Sequence, residues 1–308
     1  MAYRFKRNDA SVESAVRRIA GEQIEGAIAS IDAGDTAAVH DVRKCCKKLR
    51  GLLRLIRPAF PDYAEENAAF RATAAMISHA RDAKVMEDTF DALVERYADR
   101  IDAPALASIR ERFARDRVIA DDNGLAEALG GAREQLVAAR ERADRWALSE
   151  AGWKALRGGL EKTYARARKD AREARANPGG ETLHELRKRI KYHWYQSRLL
   201  ENLWPEMMAA RRDLARDLSE MLGDHHDLTV FEERLSADPE AFGDPRTVEV
   251  VIGLAHARRA ALEEEAWPMV DRLLAQSPGA LVKQLEALWR AWTAEHAKER
   301  TGAEPVSV

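Results

Sequence analysis

Cysteine, proline and the aromatic residues are scarce in this chain. Cys45 and Cys46 are the only cysteines in 308 residues. Neighbours on a helix point about 100° apart and seldom join, so no disulfide framework is expected, which fits a reducing compartment. No apolar run approaches the ~18 residues that cross a bilayer, and Met1–Arg7 leads into no apolar core of the kind a signal peptide carries. These absences predict a soluble, cytoplasmic protein without a membrane partner. Gly130-Gly131 and Gly158-Gly159 are not followed by the Lys-Ser/Thr of a phosphate loop. His184 and His193 stand nine residues apart and His225-His226 are adjacent, so neither pair has the i,i+4 spacing of two metal ligands on one helix face. No metal and no cofactor is expected.

Charge of one sign is missing too. Fifty Lys and Arg oppose 52 Asp and Glu, a net charge of −2, so any electrostatic function must come from uneven distribution. What is abundant is Ala, Leu, Arg and Glu, the strong helix formers, and no strand is predicted. The sparse punctuation divides the chain into helices over about 9–33, 36–57, 62–98 with a break near Ser78–Asp82, 104–120, 125–146, 148–176, 182–203, 206–222, 227–236, 245–266 and 268–297. Loops are expected at 121–124, 237–245, near Pro268 and at Ser277–Gly279, and the tail 301–308 reads as disordered. Asp35 or Thr36 is placed to cap the second helix. Thr182-Leu183-His184-Glu185 reads as a capping box, Thr182 the N-cap and Glu185 the third helical residue.

An internal repeat says more. VHDVRKCCKKLRGLLRLIRPAFP over 39–61 aligns without gaps to LHELRKRIKYHWYQSRLLENLWP over 183–205. His40/His184, Arg43/Arg187, Lys44/Lys188, Lys47/Lys191, Arg54/Arg198 and Pro61/Pro205 are identical. A second pair, Ala80–Val85 and His225–Val230, follows at nearly the same offset of about 145 residues. A duplicated helical unit is implied: repeat one over about 8–122, repeat two over about 148–298, and a linker helix over about 125–146.

On a helix, Val42, Cys46, Leu49, Leu53, Ile56 and Phe60 form one face, the expected core face. His40, Arg43, Lys47, Arg50, Arg54 and Arg57 form a second, with Lys44 and Lys48 at its edge, over roughly 25 Å at ~1.5 Å per residue. Like charges at i,i+4 cost about 0.2–0.5 kcal/mol a pair. A solvated basic face is the bland reading of one such helix, but its recurrence in a second copy, His184, Arg187, Lys188, Lys191 and Arg198, points to a multivalent anion. His40 and His184 are expected in the first turn of their helices, where free N–H groups favour anions. Lesser candidates are Arg17, Arg157, Tyr164, Arg168, Arg81 and His226. Asp82 and Asp227 read as structural caps or ion-pair partners.

The paired His-x-x-Arg-Lys-x-x-Lys helices, each followed by a segment such as Ala-Arg-Asp-Ala-Lys-Val or His-His-Asp-Leu-Thr-Val, resemble the CHAD family (conserved histidine α-helical domain) over about residues 8–300. The resemblance implies an all-α fold of two four-helix bundles related by a pseudo-two-fold axis, around a basic central groove or pore. It implies binding of inorganic polyphosphate at His40, Arg43, Lys44, Lys47, Arg50, Arg54, His184, Arg187, Lys188, Lys191 and Arg198, and localisation to polyphosphate granules. Tyr192 and Trp194 stand where the first stripe has Lys48 and Arg50, so the second stripe is expected to contribute less charge. No Glu-x-Glu-x-Lys motif of a triphosphate-tunnel catalytic domain is present. The expectation is a non-catalytic binding module. Its rivals are a phosphate-chain enzyme with a histidine nucleophile, a nucleic-acid binder stacking bases on Tyr192, Trp194 and Tyr195, and a scaffold for an acidic protein.

Overall fold

The computed structural model describes residues 3–101, 103–122 and 124–301, without the side chains at 79–81, 103, 105, 120–122 and 296–301. It contains α1 (Val12–Asp32), α2 (Ala38–Ile56), α3 (Tyr63–Met76), α4 (Ser78–Arg96), α5 (Ala107–Asp122), α6 (Leu125–Ala143), α7 (Gly152–Ala176), α8 (Gly180–Leu199), α9 (Pro205–Ala237), α10 (Pro245–Leu273) and α11 (Pro278–Thr301). Short 3-10 turns join some of them, and no strand is present among the described residues. The expected tail after 301 lies outside them.

Several helix boundaries differ from expectation, each for a local reason. The break between α3 and α4 falls at Ile77, just before the segment expected to hold it. Asp35 Oδ1 accepts the Ala37 N–H at 2.8 Å, while the N-cap position of α2 is Ala37. Thr182 is not a cap: α8 starts at Gly180, and the Thr182 hydroxyl donates to the carbonyls of Asn177 and Gly179 at 2.9 and 3.0 Å. His184 is therefore the fifth helical residue, beyond the first turn. Glu185 pairs with Lys188 and Arg189 rather than closing a capping box.

The two helices expected over 206–222 and 227–236 are one. α9 runs unbroken through Gly223, where glycine serves close approach: a Cβ there would lie 3.1 Å from the Arg187 guanidinium. Pro268 likewise sits inside α10 rather than in a loop. A mid-helix proline costs about 3 kcal/mol. Here Leu262, Ala266, Val270 and Leu273, all buried on either side of it, hold the helix in place.

Two hydrophobic clusters organise the molecule. The larger takes side chains from α1, α2, α3, α6, α7, α8, the first half of α9, the end of α10 and α11. α2 is central: the predicted face Val42, Cys46, Leu49, Leu53, Ile56 and Phe60 is buried, and so are Cys45, Leu52 and Leu55, because further helices cover its flank. α6, read as a linker, packs Ala132, Leu136, Ala139 and Ala143 into this cluster. The smaller cluster joins α4 and α5 to the second half of α9 and the first half of α10. Its centre is aromatic: Phe113 lies 5.4 Å from Phe231 and 5.0 Å from Phe242, ring centre to ring centre. Burying each such ring is worth roughly 1.5–3 kcal/mol.

α2 and α8 touch directly. Gly51 faces Tyr195, where a Cβ on the glycine would lie 2.9 Å from the tyrosine Cβ. The two residues stand at the same offset as His40 and His184. Contacts on either side run in opposite chain directions: Arg54 stacks on Tyr192, and Lys48 lies with Arg198 beside Tyr3.

Candidate functional site

The α2–α8 contact brings the two basic stripes together. The Arg54 guanidinium is 3.8 Å from the Tyr192 ring centre, and its Nη1 donates to Asn67 Oδ1 at 2.8 Å. Arg50 Nε reaches the same Asn67 oxygen at 3.4 Å, and Arg57 lies over Tyr63. Lys48 donates to Gln23 Oε1 at 2.5 Å. Burial pushes the Lys48 ammonium down to about 8, helped by the charges of Arg198 and Lys44. Among the described residues, none of Lys44, Lys48, Arg50, Arg54, Arg57 and Arg198 has a carboxylate within ion-pair distance. The partners of Lys48, Arg50, Arg54, Arg57 and Arg198 are amides, a carbonyl, a phenol and aromatic rings. Elsewhere arginines are routinely paired, as in Arg142 with Glu66 and Arg18 with Asp9.

Tyr192 and Trp194, where the second stripe departs from the first, support cations instead of supplying them. Lys191 Nζ lies 4.3 Å from the Trp194 ring centre, and Tyr195 stacks on the same ring at 4.8 Å. Tyr192 is under Arg54. These rings are engaged within the chain, which weighs against base stacking.

A cleft of about 790 Å³ opens where the larger cluster meets the smaller. Arg43 and Lys47 of α2 and His184 and Arg187 of α8 line it. His226 of α9 lies against His184, ring centres 3.8 Å apart and planes tilted by 35°. Asp82, Asp116, Asp227 and Arg234 also line the cleft. Asp82 and Asp227 lie within α4 and α9 rather than at their starts, so neither is a helix cap. Asp116 pairs with Arg112 and Arg234. Among the described residues no group of three or more His, Cys, Asp or Glu is arranged to hold a metal ion.

Both histidines are held neutral. Burial pushes His184 down to about 4, with His226, Lys188 and Arg187 adding to the effect and Glu185 opposing it. Burial and Arg187 lower His226, Asp227 opposing. His184 Nδ1 is buried and has no hydrogen-bond partner among the described residues. Deeper in, burial and Arg211 keep His193 far below its ordinary range, and burial lowers His225, whose Nε2 meets Glu263 Oε1 at 2.8 Å. All four values are depressed, so the unfolded chain binds more protons at mild acidity. Stability is complete above pH 6.5 and falls as pH drops toward 4. His184 alone, discounted for its half-exposed ring, accounts for on the order of 1 kcal/mol. Thermal melts from pH 7 to 5 should show a falling midpoint, with a flatter profile in His184→Gln; a flat wild-type profile would contradict the assignment.

The lesser candidates separate. His226 belongs to the cleft and Lys48 to the α2–α8 contact. Arg17 donates to the Trp146 carbonyl at 2.7 Å and pairs with Glu13, a structural role. Tyr164 is buried, its hydroxyl donating to the carbonyls of Leu273 and Gln276, and Arg168 braces the same turn through Leu274. Arg157 is exposed on α7 and does not line the cleft. The side chain of Arg81 lies outside the described residues. His40 is exposed in the first turn of α2. Arg234, Asp116 and Ser78 were not nominated from sequence; only the packing of α4 and α5 against α9 brings them to the cleft.

The family model for the CHAD domain matches residues 12–236. The chain belongs to the CHAD domain family. Its fold is similar to that of the CHAD domain from the plant Ricinus communis, seen in a crystal structure, with a TM-score of 0.62 at 19% identity. That match covers 90% of this chain and 98% of the plant domain. No curated protein matches the sequence. No helix among the described residues is long and apolar enough to cross a membrane. This CHAD domain thus sets two cation-rich helices against each other, with a histidine-lined cleft beside them.

Proposed function

We propose that this CHAD domain binds inorganic polyphosphate without turning it over, holding the chain along α2 and α8. The carrying observation is the set of stripe cations with no carboxylate within ion-pair distance among the described residues: Lys44, Lys48, Arg50, Arg54, Arg57 and Arg198. Clustered like charges without carboxylates, all but Lys44 half-buried, are unfavourable alone, and a linear polyanion supplies the countercharge they lack. Arg43, Lys47, Arg187, His184 and His226 extend the track into the cleft, with Lys188 and Lys191 on the same helix and His40 at the start of α2. Arginine forks suit phosphate oxygens and lysines add point charge. Neutral imidazoles there donate or accept hydrogen bonds. Binding without turnover is consistent with a cleft whose aspartates are spread over three helices. In this reading the protein works in the cytoplasm, at polyphosphate granules.

Calorimetric titration with long-chain polyphosphate tests it. The expected result is tight binding whose log K falls linearly with log salt concentration, as counterion release requires. Absence of binding would refute the reading. So would displacement of polyphosphate by RNA or DNA at equal phosphate concentration, or phosphate release that His184→Ala abolishes.

A further inference from the structure

The lining of the cleft differs from helix to helix. α2 and α8 contribute only cations and a histidine: Arg43, Lys47, His184 and Arg187. α4, α5 and α9 contribute apolar side chains set among charged ones: Val85, Met86, Phe113, Ile119 and Val230, beside Asp82, Asp116 and Arg234. Ile119 and Val230 keep 51% and 37% of their surface exposed, although both sit beside charged groups. A bare phosphate chain has no apolar group and gains nothing from that wall. An apolar surface left open inside a charged cleft marks the place of a ligand that carries apolar area of its own.

We propose that the cleft binds a nucleoside polyphosphate, its phosphates on the Arg43, Lys47 and Arg187 side and its base against Val85, Met86, Ile119 and Val230. This rests on the polyanion reading for the phosphate end alone. The volume of about 790 Å³ falls inside the range of small-molecule sites, roughly 300–1,000 Å³, and is too small for the paired acyl chains of a phospholipid. Polar groups line the same cleft: Ser78, Asp116 and Asp227. Their oxygens can accept from ribose hydroxyls and from the exocyclic amine of a base. A lipid chain would desolvate the Asp227 carboxylate and offer it no donor. Flat, weakly polar bases suit aliphatic side chains, and the base-binding wall needs no aromatic face.

Adenosine triphosphate and inorganic tripolyphosphate carry similar charge and differ in the nucleoside, so their affinities isolate the wall. Both are titrated calorimetrically into the full chain, without divalent cations, at pH 7.5. Adenosine triphosphate should bind at least tenfold more tightly. Ile119→Ser with Val230→Ser, at two exposed positions that folding does not need, should remove that advantage while leaving tripolyphosphate affinity unchanged. Equal affinities, tighter binding of tripolyphosphate, or an advantage that survives the double serine variant would overturn the proposal. In those cases binding of tripolyphosphate keeps the polyphosphate reading standing. Binding of adenosine triphosphate without long-chain polyphosphate would uphold the nucleotide site and sink the inorganic reading. Binding of neither ends both.

Discussion

Arg43→Glu combined with Arg187→Glu should abolish polyphosphate binding while the protein stays folded. The two arginines come from different helices and reach the same cleft. Charge-assisted hydrogen bonds contribute about 1.5–3 kcal/mol each, so two lost together give roughly 100- to 10,000-fold, before the repulsion of two new carboxylates. Both side chains are half-buried at the cleft rather than in either hydrophobic cluster, and glutamate is shorter than arginine, so the α9 backbone at Gly223 is not crowded. Circular dichroism and a thermal melt verify folding, and calorimetry reads the affinity. The charge-preserving Arg43→Lys with Arg187→Lys should lose far less, because point charge remains while the fork is gone. Affinity in the double glutamate variant within threefold of wild type would mean the polyanion lies elsewhere.

The second large effect is on stability. Gly159→Ala should lower the melting midpoint by on the order of 10 °C. At Gly159, α7 crosses the end of α2 backbone to backbone. A Cβ there would overlap the carbonyl oxygens of Leu55 and Arg54, neither of which can rotate away. Overpacking costs about 3 kcal/mol or more when main chain must move, against the few tenths to ~1 kcal/mol that alanine gains in helix propensity. Gly130→Ala supplies the contrast: on α6 a Cβ meets nothing within 4 Å, and the same substitution should be neutral or mildly stabilising. Differential scanning calorimetry of the two variants checks the pair, and equal midpoints would show that the α2–α7 crossing has slack.

Short-range physics made much of this legible in the sequence. The core face of α2 followed from apolar spacing, and Val42 to Phe60 are buried as the register demands. The same spacing, read twice, located the two cationic helices. Long-range contacts were what it left out. Gly223 reads as a helix breaker until the Arg187 guanidinium is seen lying over it. Pro268 reads as a terminus until burial on both sides of it is known. Thr182 had the right residue three positions before a polar partner, but Gly180 opens the helix and the hydroxyl turns back to the preceding loop. Asp82 and Asp227 read as caps or ion-pair partners because nothing local reveals that α4 and α9 flank one cleft. Tyr192 and Trp194 read as missing charge, and only the contact of α2 with α8 shows them as platforms for cations.

The aromatic cluster of Phe90, Phe113, Phe231 and Phe242 has a consequence for how the chain could be divided. Two of these rings precede the turn between α5 and α6, and two follow it. A gene split at that turn would give two polypeptides, each carrying half of one buried cluster and part of the cleft lining. Neither fragment could complete that cluster alone, and their reassembly would rebuild core and cleft in a single step. The sequence repeat is therefore no guide to autonomous pieces: two matching halves of the chain have been made mutually dependent by four phenylalanines.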